Sequence, residues 1–223
     1  MKIHLLGKDK VRPGVYTFVF KSAEPLTWQP GQYMHYVLNH PNPDSRGVER
    51  WFTISSAPYE QNIVITTRMA ADHGSSFKAA LLALNVGDEL EADGPKGGFT
   101  LRPNASRHVL IAGGIGITPY HAMLAQLGHD KQSANADLLY ANSDDNFVFG
   151  AELDKLAAAD PTLRIIKFVG KKITEPDLAA YQTDKNIIFY LSGPEAMVQS
   201  YEGLLHLMGA DEARVVTDYF PGY

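Results

Sequence analysis

The stretch Val109-Leu110-Ile111-Ala112-Gly113-Gly114-Ile115-Gly116-Ile117-Thr118-Pro119 carries the residue types needed to hold a phosphate. Four apolar residues lead into three glycines, which let the backbone turn tightly and approach a ligand with no Cβ in the way. Pro119 suits the first turn of a helix, where its missing N–H would have had no partner. Free amides and the positive end of the helix dipole would then face an anion together. The spacing meets the dinucleotide fingerprint only in part, because Pro119 stands where its third glycine is expected. Taken alone, the stretch reads equally well as a plain strand-to-helix turn.

Three further stretches have comparable chemistry. In Glu49-Arg50-Trp51-Phe52-Thr53-Ile54-Ser55, alternation sends Arg50, Phe52 and Ile54 to one face and Trp51, Thr53 and Ser55 to the other. Such an Arg can bind a phosphate while the nearby ring stacks on a planar cofactor; the plainer reading is an amphipathic strand with an exposed Arg. Gly74-Ser75-Ser76, before Phe77-Lys78, is a good helix N-cap and equally a phosphate seat. Phe189-Tyr190-Leu191-Ser192-Gly193-Pro194 is a second strand ending in a small-residue turn with Pro at a helix start. Ligands of open α/β sheets bind outside the carboxyl ends of the strands, where Ser192 and Gly114 would face a common crevice.

These residues need elements to position them. Before residue 103, β-branched and aromatic runs at 15–20, 33–38 and 63–67 predict strands, with turn-rich pieces between them and one helix over 75–84. Short strands of this kind predict a small antiparallel barrel. Beyond Arg102-Pro103-Asn104 the pattern alternates. Strands are predicted at 108–112, 136–140, 164–168, 186–191 and 215–217, and helices at 119–127, 151–158, 175–181 and 194–208. That alternation predicts a doubly wound parallel sheet. The expected division is a β domain over 1–103 and an α/β domain over 104–223.

Composition narrows the function classes. The chain is 45% hydrophobic and 20% charged, ordinary for a globular protein. A net charge of −5 with scattered basic residues argues against a nucleic-acid partner. With no cysteine, the chain has no disulfide, no thiolate nucleophile and no Cys-ligated zinc or iron–sulfur cluster of its own. The opening Met1–Gly7 run is too short and too soon broken for a signal peptide, and no apolar run approaches the roughly 20 residues of a membrane helix. A soluble, cytoplasmic, non-membrane-spanning chain is expected.

The four stretches occur in the order, and at about the spacing, of the ferredoxin–NADP reductase superfamily, which the chain resembles over nearly its whole length. Pro30-Gly31-Gln32-Tyr33 and Gly94-Pro95-Lys96-Gly97-Gly98-Phe99 add to the likeness. The resemblance implies an antiparallel flavin-binding barrel followed by a nicotinamide-nucleotide domain, with FAD (FMN as the alternative) and NADH or NADPH as cofactors. It implies that Arg50 contacts the flavin phosphates beside the helix start at Gly74, Ser75 and Ser76, and that Phe52 packs on the flavin. Thr53 would reach towards flavin N5, with Thr66 also in the cofactor set. Gly114, Gly116, Thr118, Gly193 and Pro194 would hold the dinucleotide, and Ser192 takes the place of the family's frequent Cys near the nicotinamide. Phe220 is the first choice for the ring covering the flavin and Tyr223 the second.

The implied activity is transfer of a hydride from NAD(P)H to bound flavin. Electrons then pass to a separate acceptor: a ferredoxin, a flavodoxin, a membrane redox subunit or free flavin. A free-flavin reductase and a non-catalytic flavin- or nucleotide-binding subunit are the competing readings. The acidic Asp144-Asp145 pair after the second α/β strand would repel a 2′-phosphate and favours NADH, although Lys171 and Lys172 supply charge nearby.

Overall fold

The computed structural model describes residues 1–69 and 74–219, in two compact units, Met1–Gly98 and Phe99–Tyr223. The first unit contains β1 (Lys2–Arg12), β2 (Val15–Ser22), β3 (Tyr33–Val37), β4 (Glu49–Thr53), β5 (Ile63–Arg68), α1 (Ser76–Ala83) and β6 (Glu89–Lys96). Its strands form one antiparallel sheet in the order β4-β3-β6-β1-β2-β5. The residues after β4 draw the edges together: the Ile54 amide donates to the Gln32 carbonyl and the Ser55 amide to that of Val64, each at 2.9 Å. The sheet therefore curls into the expected barrel-like form. Alternate side chains point inward, so Ile3, Leu5, Phe18, Phe20, Met34 and Tyr36 share a core, which Phe77 and Leu81 of α1 join.

The second unit contains β7 (Arg107–Gly113), α2 (Thr118–His129), β8 (Ala136–Asn142), α3 (Gly150–Ala159), β9 (Leu163–Val169), α4 (Glu175–Ala179), β10 (Ile187–Ser192), α5 (Glu195–Leu207) and β11 (Val215–Asp218). All five strands are parallel, in the order β11-β10-β7-β8-β9. Helices cover both faces, which is why β7 and β10 are almost entirely apolar and buried. Leu178 of α4 and Val198 and Leu205 of α5 pack with Val109, Ile111, Phe189 and Leu191, while α2 packs against α3. The chain reverses its direction of winding between β7 and β10, the position at which open α/β sheets take ligands outside the strand ends.

The division falls a few residues before the expected residue 103. Phe99 packs on Tyr120 and Tyr190, with ring centroids 5.8 and 5.7 Å apart, and the Arg102 amide donates to the Tyr190 hydroxyl. The segment thus belongs with the parallel sheet. At the amino-terminal end of that sheet, the buried Asp137 carboxylate accepts from Arg107 and Arg164. This ties the starts of three strands together. Among the described residues no helix is long and apolar enough to cross a membrane.

Candidate functional site

Each unit offers one half of the chemistry. In the first, β4 places Arg50 inward, Trp51 outward and Phe52 inward, as alternation requires. Trp51 is 40% exposed with its ring 4.6 Å from that of His35, whereas Arg50 is only 5% exposed. The alternation then stops: Thr53, Ile54 and Ser55 are all buried, because the chain beyond β4 is hydrogen-bonded on both sides.

The Arg50 guanidinium bridges two pieces of chain. Its Nη1 donates to the carbonyls of Arg46 (2.8 Å), Gly47 (3.4 Å) and Glu49, and its Nη2 donates to Ser75 Oγ at 2.8 Å. Ser75 stands at the N-cap of α1 but makes no side-chain cap bond; its hydroxyl faces the guanidinium instead. Asp44 does the capping, accepting from the Ser76 amide at 2.8 Å, and the Ser76 hydroxyl donates back to the Asp44 amide. Arg46 is fastened to Asp44 and to the Gly74 carbonyl. Hydrogen bonds from Arg46 and Ser76 hold the Asp44 carboxyl well below its ordinary range.

Lys78 of α1 donates from Nζ to the Arg68 carbonyl at 3.0 Å. Burial, and then the charges of Arg50, Arg46 and Arg68, bring the Lys78 amine down to about 8. The Arg46 and Arg50 guanidinium groups against the Asp44 carboxylate, beside a hydroxyl-bearing helix start, are a donor set suited to a phosphate or diphosphate. This half of the structure therefore fits a phosphate-bearing cofactor. Phe52 borders the same place, its ring 5.9 Å from Tyr36, 6.0 Å from Phe77 and 5.9 Å from the Lys78 ammonium. Thr66 lies in the barrel wall, where its hydroxyl is shared with Thr17 (3.0 Å) and Ser55 (2.9 Å).

In the second unit, β7 ends at Gly113 and runs through a tight turn over Gly114–Ile117 into α2. Gly114 needs its glycine for conformation, with φ at +53°. Gly113 and Gly116 need theirs for packing. A Cβ on Gly116 would lie 2.2 Å from the Ser192 carbonyl oxygen and 2.6 Å from Gly193 Cα; one on Gly113 would strike Met197 Sδ. The missing side chains thus let the turns after β7 and β10 lie backbone against backbone. Pro194 is the N-cap of α5, directly after that second turn. Thr118 spends its hydroxyl on the Ile115 carbonyl at 3.2 Å.

Tyr140 of β8 fixes the turn from below, donating to the Gly114 carbonyl at 2.9 Å. Replacing Tyr140 with Phe is expected to lower the midpoint of thermal unfolding by the loss of one buried hydrogen bond, about 1 kcal/mol, and to weaken NADH binding. Unchanged values on both counts would remove Tyr140 from this role. Ser192 is buried beside Asp218, to which its Oγ donates at 3.4 Å, the two residues being directly opposite in the β10–β11 register. Burial first, then the Asp218 charge, pushes the Tyr120 phenol well up, so it stays protonated and donates to the Ile111 carbonyl. Beyond β8, Asp144 is held in a tight turn by Asn142 and the Asn146 amide, and Asp145 is exposed.

Residues 110–203 match the family model described as the oxidoreductase NAD-binding domain. Over 159 residues the chain is 31% identical to NADH-cytochrome b5 reductase 1 of Neosartorya fischeri, an alignment covering 61% of this chain and 51% of the relative. Both units are spanned by the FAD/NAD-binding domain of nitric oxide dioxygenase from Vibrio cholerae, with a TM-score of 0.82 over 98% of each chain at 23% identity. The ferredoxin–NADP+ reductase of Plasmodium falciparum superposes with a TM-score of 0.80 over 98% of this chain and 95% of its own, at 17% identity. The chain has the fold of these two solved proteins, with the NAD-binding family match falling in the second unit. The chain spans about half the length of the first of those relatives.

The structure brings Arg50, Phe52, Gly74, Ser75 and Ser76 to one place. It brings Gly114, Gly116, Thr118, Ser192, Gly193 and Pro194 to another. Phe220 and Tyr223, the two choices for the covering ring, lie outside the described residues. Asp44, Arg46 and Lys78 were not among the expected site residues. Their sequence signal is weak, since a surface helix or loop commonly carries such charges.

Proposed function

We propose that this chain is an NADH-preferring flavin oxidoreductase that passes electrons to a separate redox protein. The observation that carries the reading is the buried Arg50 guanidinium, bonded to Ser75 at the start of α1 and paired with Arg46 around Asp44 on an antiparallel barrel. A bound FAD would supply what no side chain here can, accepting a hydride from NAD(P)H and releasing the electrons singly. Arg50, Arg46 and the Gly74–Ser76 helix start would hold its phosphates, with Phe52 and Thr53 alongside. FMN is the alternative ligand of the same seat.

The turn over Gly113–Thr118 and the adjoining Ser192–Pro194 turn would take the dinucleotide, with its negative charge against the start of α2. Ser192, held by Asp218, would orient the nicotinamide. The acidic Asp144–Asp145 segment and the NADH in the fungal relative's name both support NADH as donor. That relative's name also supports cytochrome b5 as acceptor. A ferredoxin, a flavodoxin and a membrane redox subunit are the alternatives an acceptor assay separates.

The test is an anaerobic visible spectrum of the purified protein before and after NADH and then NADPH. Rapid bleaching of a flavin band by NADH supports the reading. A flavin band that neither nucleotide bleaches makes the chain a binding subunit. No flavin after incubation with FAD and FMN overturns the cofactor assignment. Ser192→Ala is expected to slow bleaching roughly five- to tenfold, the worth of one hydrogen bond, with flavin content unchanged. Lost flavin at an unchanged rate would reject that role.

A further inference from the structure

We propose that Met197 is an oxidation site that controls the two dinucleotide turns. Its thioether fills the gap between the turns after β7 and β10, and conversion to the sulfoxide empties that gap and weakens NADH binding. This role rests on the dinucleotide reading given above, and neither the sequence motifs nor the family match assigns it. Met197 lies in the first turn of α5, where its amide donates to the Pro194 carbonyl at 2.8 Å. Helical side chains lean back towards the helix start, which brings this one over the preceding turn. A Cβ on Gly113 would stand 2.2 Å from Met197 Sδ, 2.8 Å from its Cε and 3.3 Å from Pro194 Cδ. One on Gly193 would stand 2.7 Å from the same Cε and 3.2 Å from Gly113 Cα. Sulfur and methyl thus lie against both glycines at once.

A thioether suits this place because it is unbranched, polarisable and asks for no hydrogen bond. Met197 is half-buried and Pro194, Glu195 and Ala196 before it are exposed, which leaves it open to a small oxidant. Met34 and Met123, 0% and 2% exposed, are shielded. Hydrogen peroxide oxidises a thioether directly. A sulfur lone pair attacks one peroxide oxygen, and the S–O bond forms as the O–O bond breaks. The proton of that oxygen passes to the second, which leaves as water; sulfur loses two electrons and the peroxide gains them. The new oxygen is a strong acceptor, and the glycine Cα atoms and Pro194 Cδ offer it no donor. It has no room on that side, since the sulfur already crowds the place of a Gly113 Cβ. The oxidised side chain therefore turns to water and leaves a void between the turns. Gly116 lies against the Ser192 carbonyl, so a shift of one turn displaces the other, and the amides set to face an anion lose their fixed spacing.

The experiment treats the full chain with hydrogen peroxide, reads oxidation at each methionine by peptide mass spectrometry, and measures NADH affinity by fluorescence titration alongside flavin absorbance. Kd for NADH is expected to rise about tenfold in protein oxidised at Met197, the effect of a void left where the thioether was, with flavin content unchanged. Methionine sulfoxide reductases should restore the affinity as they reduce the sulfur. Met197→Leu keeps the volume without the sulfur. Whatever its starting affinity, that affinity is expected to survive peroxide. Unchanged NADH binding after full oxidation of Met197, or an equal loss in Met197→Leu, overturns the role of Met197 while leaving the dinucleotide reading intact. So does a Met197 that resists peroxide while Met69 and Met208 react. Repair tests the same point without a substitution: affinity that stays low once the sulfur is reduced also overturns the role. An untreated protein that binds no NADH overturns both.

Discussion

Arg50→Ala is expected to purify without flavin and to unfold at a lower temperature than the native protein. Arg50 is almost wholly buried, and its guanidinium closes the gap between the 44–49 connection and the start of α1. Truncation leaves the Arg46, Gly47 and Glu49 carbonyls and the Ser75 hydroxyl without that donor, and leaves space beside Phe77, whose ring centroid is 5.5 Å from the guanidinium carbon. Buried groups that lose a charged donor cost about 2–4 kcal/mol together. The flavin loss is larger in proportion. Removing the best-placed phosphate cation is expected to weaken FAD binding on the order of a hundredfold or more. Arg50→Lys keeps the charge but not the planar fork that reaches two pieces of chain at once, so it should fall between the two. The ratio of flavin to protein absorbance after purification, followed by thermal unfolding, measures both effects. Stoichiometric flavin in Arg50→Ala would remove the seat from the proposal.

Gly116→Val should damage the other unit at least as severely. The added Cβ would meet the Ser192 carbonyl oxygen at 2.2 Å, its carbon at 2.4 Å and Gly193 Cα at 2.6 Å. All three are backbone atoms at the end of a central strand, and they cannot swing aside as a side-chain tip would. Relief requires the two turns to part, at a cost of about 3 kcal/mol or more. NADH binding should be lost with them, while the Arg50 seat, in the other unit, keeps its flavin. Gly114→Ala makes a useful contrast, since its penalty is conformational, about 1–2 kcal/mol for a Cβ at φ of +53°. Flavin content, NADH titration and the unfolding midpoint separate the three outcomes. A Gly116→Val protein with native stability and native NADH affinity would show that the turns are not locked in this way.

The extent to which the sequence was legible follows the range of the physics involved. The strand, glycine turn and helix over residues 107–129 could be read directly, because an apolar run, glycines and a first-turn proline act on their immediate neighbours. Arg50, Trp51 and Phe52 alternate as predicted for the same reason, up to Thr53, where pairing on both sides takes over. The strands β1 and β6 were not predicted. Lys2–Arg12 and Glu89–Lys96 are rich in charge, and only their few inward residues, Ile3, Leu5, Leu90 and Ala92, mark them as sheet. They exist as strands because partners far along the chain supply their hydrogen bonds.

The same distinction runs through the site. Residue types and order alone carried the candidate phosphate seats, the glycine turn and the small polar residue after a strand. The tertiary structure decided which residues come together, fastening 44, 46, 50 and 75 to one another and setting Ser192 opposite Asp218. It also decided why Gly116 is a glycine, since the space it leaves is filled by a turn 76 residues further on. Local propensity carries no record of such neighbours. Burial, mutual repulsion and close packing arise only when distant segments are brought together.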